Sequence, residues 1–370
     1  MNSTCIDCSH RHLTYCNDQQ APLPLITHCD LWPKRRPKVL WLMGDFAKGG
    51  TSRYTANLFP QLYPEIDFHV VYFSADALDA SIQLHCPLER YRSQPHIREL
   101  IDWADHVSAI CLSPGVPKHM PVLEMSVGKL FVQVHGQNDW TQKLVDFSSK
   151  YTNRFVACSK AAAKLLPPTA LSICPETPLD FNRLLRQQTK EAAKTRFGLS
   201  GFKVVTVACR QSLDKNLLGI AEAVAVLPPS YKLLCVGTGF AEAELHPKMQ
   251  AMLGDRVVFW REWLEPYEYL DASDCFICLS PSEGLPTTII EALVHGTPVV
   301  STPVGIVPEL VLRTPGRLSR PIVHPPEELQ LACEGYSASE EAEIFQHMLQ
   351  RFSHHAIKMA WLNWLSLSPI

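Results

Sequence analysis

From Pro37 to Thr302, short aliphatic and β-branched runs alternate with longer amphipathic stretches, and that alternation leaves few folds open. The runs at 38–44 (KVLWLMG), 68–73 (FHVVYF), 107–113 (VSAICLS), 129–136 (KLFVQVHG) and 154–159 (RFVACS) read as strands apolar on both faces. A second series follows at 203–210 (KVVTVACR), 231–239 (YKLLCVGTG), 256–260 (RVVFW), 275–282 (CFICLSPS) and 298–302 (PVVST). Strands apolar on both faces and separated by helical stretches imply parallel sheets covered by helices on each side. Between the series, 166–180 (LPPTALSICPETPLD) is broken by prolines and reads as a hinge.

The chain has 370 residues, too many for one compact core and suited to two domains. The expected divisions are a Cys-rich segment over 1–36, a first α/β domain over 37–175, a second over 176–340 and a C-terminal helix over 341–370. Phe345, Met348, Leu349 and Phe352 recur in that tail at helical spacing, so it can fold as a helix crossing back to the first domain. A net charge of −3 provides no basic excess for nucleic-acid binding. No run reaches the roughly 20 apolar residues that cross a bilayer. The polar N-terminus does not read as a secretory signal. Most of the 13 cysteines sit inside apolar runs, the pattern of reduced thiols in the cytoplasm.

One stretch is more specific. Residues 280–308 (SPSEGLPTTIIEALVHGTPVVSTPVGIVP) hold Glu283 and Glu291 eight positions apart. Pro286 suits a first helical turn and Gly296 a helix stop. The amides of Gly284 and Leu285 would then open an anion site at a helix N-terminus, with Glu283 at its mouth. This E-x7-E pattern followed by G-x-P-V-V resembles the nucleotide-sugar signature of retaining glycosyltransferases of family 4, the glycosyl transferases group 1. The resemblance covers roughly 38–312. It implies an α/β GT-B fold of two Rossmann-like domains facing a central cleft, with the small N-terminal Cys-rich segment as an addition.

Other residues fall in the family's order. Gly49 and Gly50 precede a helix and let backbone approach a phosphate or sugar. His135 ends an apolar strand, where such sheets bind ligands. Arg210 and Lys215 offer a guanidinium and an ammonium that suit a diphosphate leaving group, as the family's Arg and Lys do here. Gly237 and Gly239 resemble the family's G-x-G turn, which brings backbone close to nucleoside or phosphate. The resemblance implies that Glu283, Arg210, Lys215 and His135 serve the reaction. Glu291 would accept the ribose hydroxyls, and Gly284, Leu285, Gly49, Gly50, Gly237 and Gly239 would bind the donor. Ser159 matches a family serine and reads as structural. Cys209 replaces the family's usual glycine before Arg210, and the family often has glycine where Trp260 or Arg261 stands, which leaves the base open.

The implied activity is a retaining hexosyltransferase using a nucleoside-diphosphate sugar and an acceptor that is a glycan, lipid, protein or nucleobase. The alternatives are action on a modified base in nucleic acid, which the net charge does not support, and a non-transferring enzyme such as an epimerase. No D-x-D motif is present, so no catalytic divalent metal is implied. Cys5, Cys8, Cys16 and Cys29 open with C-x2-C and can wrap a structural zinc, with His10, His12 and His28 as substitute ligands. An iron–sulfur centre is the alternative. Cys275 and Cys278 repeat the spacing inside a strand and read as core.

Overall fold

The computed structural model describes residues 35–46, 50–74, 84–113, 115–262, 264–310, 325–352 and 354–366, plus the backbone of two short strands near the N-terminus. Those strands, β1 (Tyr15–Cys16) and β2 (Ala21–Pro22), pair antiparallel. Cys5, Cys8, Cys29, the side chain of Cys16 and the three head histidines lie outside the described residues. The expected zinc site falls there too. Gly49 is likewise outside them.

The first sheet contains β3 (Lys38–Met43), β4 (Asp67–Tyr72), β5 (Leu88–Arg90), β6 (His106–Ile110), β7 (Leu130–Val134), β8 (Arg154–Ala157) and β9 (Leu171–Ile173). All pairs are parallel, in the order β5-β4-β3-β6-β7-β8-β9. The second sheet holds β10 (Lys203–Ala208), β11 (Tyr231–Val236), β12 (Val257–Trp260), β13 (Cys275–Cys278) and β14 (Val299–Ser301). It is also parallel, in the order β12-β11-β10-β13-β14.

Period-two alternation explains why each sheet has two cores. In β3, Val39, Trp41 and Met43 enter one apolar cluster, and Leu40 and Leu42 the cluster on the opposite face. In β10, Val205 and Val207 face one way and Val204 and Ala208 the other. With both faces covered, the strands are near-continuous apolar runs, which is why they were legible in the sequence.

Several elements were not read from the sequence. β5 and β9 are edge strands of three residues with partly exposed side chains. β9 lies inside the proline-rich 166–180 stretch read as a hinge, so part of that stretch completes the first sheet. Helices His119–Met125, Lys190–Arg196 and Pro325–Ala332 are too short to stand out, whereas Asp139–Ser148 was missed although it buries Thr141, Leu144, Val145 and Ser148 at helical spacing. Two of these carry local start signals: Asn138 accepts from the Thr141 amide and Thr189 from the Ala192 amide.

The C-terminal region divides between the lobes. Helix Ala338–Arg351 buries Ile344 and Met348 against the core of the second lobe. Helix His354–Ser366 packs on the first lobe, where Ile357, Trp361 and Leu365 join Trp41 and Phe131. The Trp41 and Trp361 rings lie 5.7 Å apart. His106 Nε2 lies 2.8 Å from the Leu365 carbonyl oxygen. The Arg154 guanidinium stacks 4.8 Å over Trp364. At the crossover, Arg351 Nε donates to Glu176 (2.8 Å) and Nη1 to the Glu309 carbonyl (2.6 Å). Glu309 Oε1 in turn accepts from the Lys160 amide of the first lobe (3.1 Å).

Candidate functional site

In each sheet the first strand lies between neighbours reached in opposite directions, which opens a crevice at the strands' carboxyl ends. In the second lobe that crevice falls between β10 and β13. Beyond β10 the chain makes a short turn over Leu213–Lys215 and passes through Asn216 at φ 53°. Asn216 Nδ2 donates to the Leu279 carbonyl just past β13 (3.2 Å), tying the two strand ends together. Lys215 Nζ thereby reaches Glu283 Oε1 at 2.7 Å, with each side chain 17% exposed. Burial works against the ammonium, but Glu283 and then Asp214 outweigh it, so its pKa lies above the usual lysine value.

The loop holding Glu283 also meets the first lobe. A Cβ on Gly284 would lie 2.2 Å from the His135 carbonyl oxygen and 2.7 Å from Gly136 Cα, so only glycine permits this approach. From the other side, Gly305 at φ 54° packs so that its own Cβ would lie 2.5 Å from the Gly284 carbonyl oxygen. Leu285 packs against the cores of both lobes. Helix Thr287–His295 starts after Pro286 with no side-chain cap. Among the described residues, no protein acceptor is seen for the amides of Glu283, Gly284, Leu285, Thr287 or Thr288. These N–H groups stand at the helix start, in the loop that carries Glu283, the partner of Lys215.

Glu291 lies one turn inside that helix and is partly buried. Burial pushes its carboxyl up to about 7, against the pull of Arg183 and Arg53. Arg183 comes from a turn after the hinge and Arg53 from helix Gly50–Leu62 of the first lobe. Neither arginine was marked in the sequence. Arg53 stands three residues past the double glycine, a weak cue, and Arg183 had none.

His135 follows β7, and burial lowers its pKa to about 4. Its ring meets Tyr54 edge-on at 4.9 Å. Its Nε2 is 3.3 Å from Gln133 Oε1, and Gln133 Nε2 is 2.6 Å from Ser108 Oγ. Arg210 is exposed, its guanidinium 5.9 Å from the Phe240 ring, and Phe240 is 79% exposed. Gly237 and Gly239 serve close backbone packing. Their Cβ atoms would lie 2.2 Å from the Cys209 carbonyl oxygen and 2.1 Å from that of Gln211. Gly50 begins its helix in open space. Ser159 caps helix Lys160–Ala163, accepting from the Ala162 amide.

The structure thus brings Lys215, Glu283, Gly284, Leu285 and the His135 backbone together. It puts Arg210 at the exposed rim and the G-x-G glycines in the loop packing beneath it. Among the described residues, no group of three or more His, Cys, Asp or Glu side chains is placed to hold a metal. No helix among them is long and apolar enough to cross a membrane. A separate cavity of about 340 Å³ lies under Phe59, Phe68 and Trp103 near the amino end of β4, away from this crevice.

Residues 202–333 match the family model described as glycosyl transferases group 1. That match lies within the second lobe. The segment matching TuaC of Bacillus subtilis, a glycosyltransferase named for teichuronic acid biosynthesis, is 30% identical over 161 residues, 43% of this chain and 39% of TuaC. The matched segments span less than half the length of the curated relatives. Over nearly the whole chain the fold is GT-B. HepE of Anabaena, solved with UDP and glucose, superposes with a TM-score of 0.75 at 19% identity, covering 90% of this chain and all of HepE. TarM of S. aureus, solved with fondaparinux, α-GlcNAc-glycerol and UDP, gives 0.68 at 11% identity, covering 89% and 99%.

Proposed function

We propose that the chain is a glycosyltransferase that moves a hexosyl group from a nucleoside-diphosphate sugar to an acceptor hydroxyl with retention of anomeric configuration. The observation that carries this reading is the Lys215–Glu283 pair at the β10/β13 crevice, with Gly284 seated against His135 of the opposite lobe. The diphosphate would lie against Lys215, Arg210 and the open amides at 283–288. These positive groups are in place before negative charge grows on the leaving phosphate. Glu283, held by Lys215, would accept hydrogen bonds from the sugar ring, and Glu291 from the ribose. The acceptor hydroxyl would attack from the face the phosphate leaves, with a phosphate oxygen taking its proton.

HepE's bound UDP and TarM's glycan ligands make a UDP-sugar and a glycan our first choices of donor and acceptor. The buried thiols Cys158, Cys235, Cys275 and Cys333 suit a cytoplasmic enzyme. We also propose that the Cys-rich head holds one structural zinc through Cys5, Cys8, Cys16 and Cys29.

The test is a thermal-shift screen of UDP, GDP, ADP and their sugars. A ligand at 100 times its Kd stabilises the fold by about 2.7 kcal/mol. Protein indifferent to every nucleotide would defeat the donor reading. NMR of the product's anomeric proton then decides retention.

A further inference from the structure

Ser108 and Gln133 are polar residues in the interior of parallel strands β6 and β7, where aliphatic side chains are the rule. They are 0% and 1% exposed. Phe131 and Gln133 point to the same face of β7, two residues apart, and His135 continues that row past the strand end. Ile110, on the Ser108 side of β6, shares the Phe131 cluster. Burying an amide and a hydroxyl in such a place costs stability unless both are hydrogen-bonded. Here they bond to each other and to His135, forming a buried chain that ends at the cleft.

We propose that Ser108 and Gln133 are positioning residues that hold His135 as its Nε2–H tautomer and leave the Nδ1 lone pair for a substrate hydroxyl. The inference rests on the donor reading above for the hydroxyl's identity, but not for the tautomer. The direction follows from the orientation of the Gln133 amide. Gln133 Nε2–H donates to Ser108 Oγ at 2.6 Å, which turns Oε1 toward His135. A carbonyl oxygen can only accept, so the imidazole nitrogen 3.3 Å away must carry the proton. A neutral imidazole has one N–H, so Nδ1 is then an acceptor. Nδ1 has no partner among the described residues and is not among the buried atoms left without one. The edge-on Tyr54 ring limits rotation of the imidazole. Burial keeps the ring neutral at pH 7, so a lone pair is present to be used. A site of this polarity selects a group with a hydrogen to give. It favours a sugar hydroxyl over the deoxy or O-methyl analogue at the position facing His135.

The experiment reads the tautomer directly. Imidazole nitrogen resonances of ligand-free, histidine-labelled full-length protein are recorded at pH 7, with the His135 signals identified by their loss in His135→Asn. The expected pattern is a protonated Nε2 and an unprotonated Nδ1. Ser108→Ala removes a single oxygen and lets the Gln133 amide turn over, so the two resonances should converge as the tautomers mix. Gln133→Met, of similar volume, should do the same. Each variant should lose about tenfold in kcat/KM, the size of one misdirected hydrogen bond. An Nδ1–H tautomer or an imidazolium in the wild type would overturn the proposal, as would an unchanged tautomer in both variants. Because the resonances need no substrate, a wrong donor assignment would leave this result standing.

Discussion

Glu291 presents a cost whose size can be worked from its surroundings. Its carboxyl titrates near 7 in the folded chain against an ordinary 4.5, chiefly because the helix start and the lobes around it remove water. At about 1.4 kcal/mol for each tenfold change in proton affinity, ionising it in the fold costs about 3 kcal/mol more than in the unfolded chain. The sign runs one way. With its folded pKa raised, the folded state holds the proton more tightly between about 4.5 and about 7. Its contribution to stability is therefore fully present at acid pH and lost as the pH rises through that window. Replacing Glu291 with Gln keeps the shape and removes the charge. Glu291→Gln should thus raise the unfolding free energy at pH 8 by up to about 3 kcal/mol and change it little at pH 4.5. Urea denaturation of wild type and variant at both pH values, at constant m-value, measures this. Under the donor reading the same variant should bind UDP more weakly, by about 1–3 kcal/mol for the lost charged hydrogen bonds. Destabilisation at pH 8, or an equal gain at both pH values, would refute the account of a buried and weakly compensated charge.

Other outcomes follow from single contacts. Gly284→Ala would drive a methyl into the His135 carbonyl and separate the lobes; we expect about 1–3 kcal/mol of lost stability and little activity, and a fully active variant would show that the loops do not meet. Arg210→Ala should lower kcat more than donor affinity, because leaving-group charge is greatest in the transition state; equal losses in steady-state kinetics and calorimetry would indicate simple binding. Trp361→Ala removes a ring packed on Trp41 and should cost about 3–5 kcal/mol by denaturation, whereas a loss under 1 kcal/mol would mean the C-terminal helix does not complete the first lobe. Elemental analysis of purified full-length protein should find about one zinc per chain, and folded, zinc-free protein would remove the head site.

The parallel architecture was legible because strands covered on both faces must be apolar throughout, as in KVLWLM and KVVTVA. The helix start after Pro286 and the stop at Gly296 were legible from local chemistry, and Gly296 indeed adopts φ 81°. Short edge strands escaped because three partly exposed residues such as Leu88–Arg90 carry no such pattern. The roles of glycines could not be separated in one dimension. Gly284, Gly237 and Gly239 all admit close backbone, yet Gly284 meets the other lobe and the others meet a neighbouring loop.

What the amino-acid order determined by itself was local and periodic: which segments are strands, where helices begin and end, and which residue types lie at strand ends. Tertiary structure alone decided the pairings. Lys215 meets Glu283 across 68 positions because β10 and β13 are sheet neighbours though not chain neighbours. Arg53 comes near Glu291 only because two lobes face each other. Backbone propensity and hydrophobic period act over a few residues, so they leave a signature in sequence. Electrostatic partners and desolvation depend on distance through space, which exists only once the sheets are assembled.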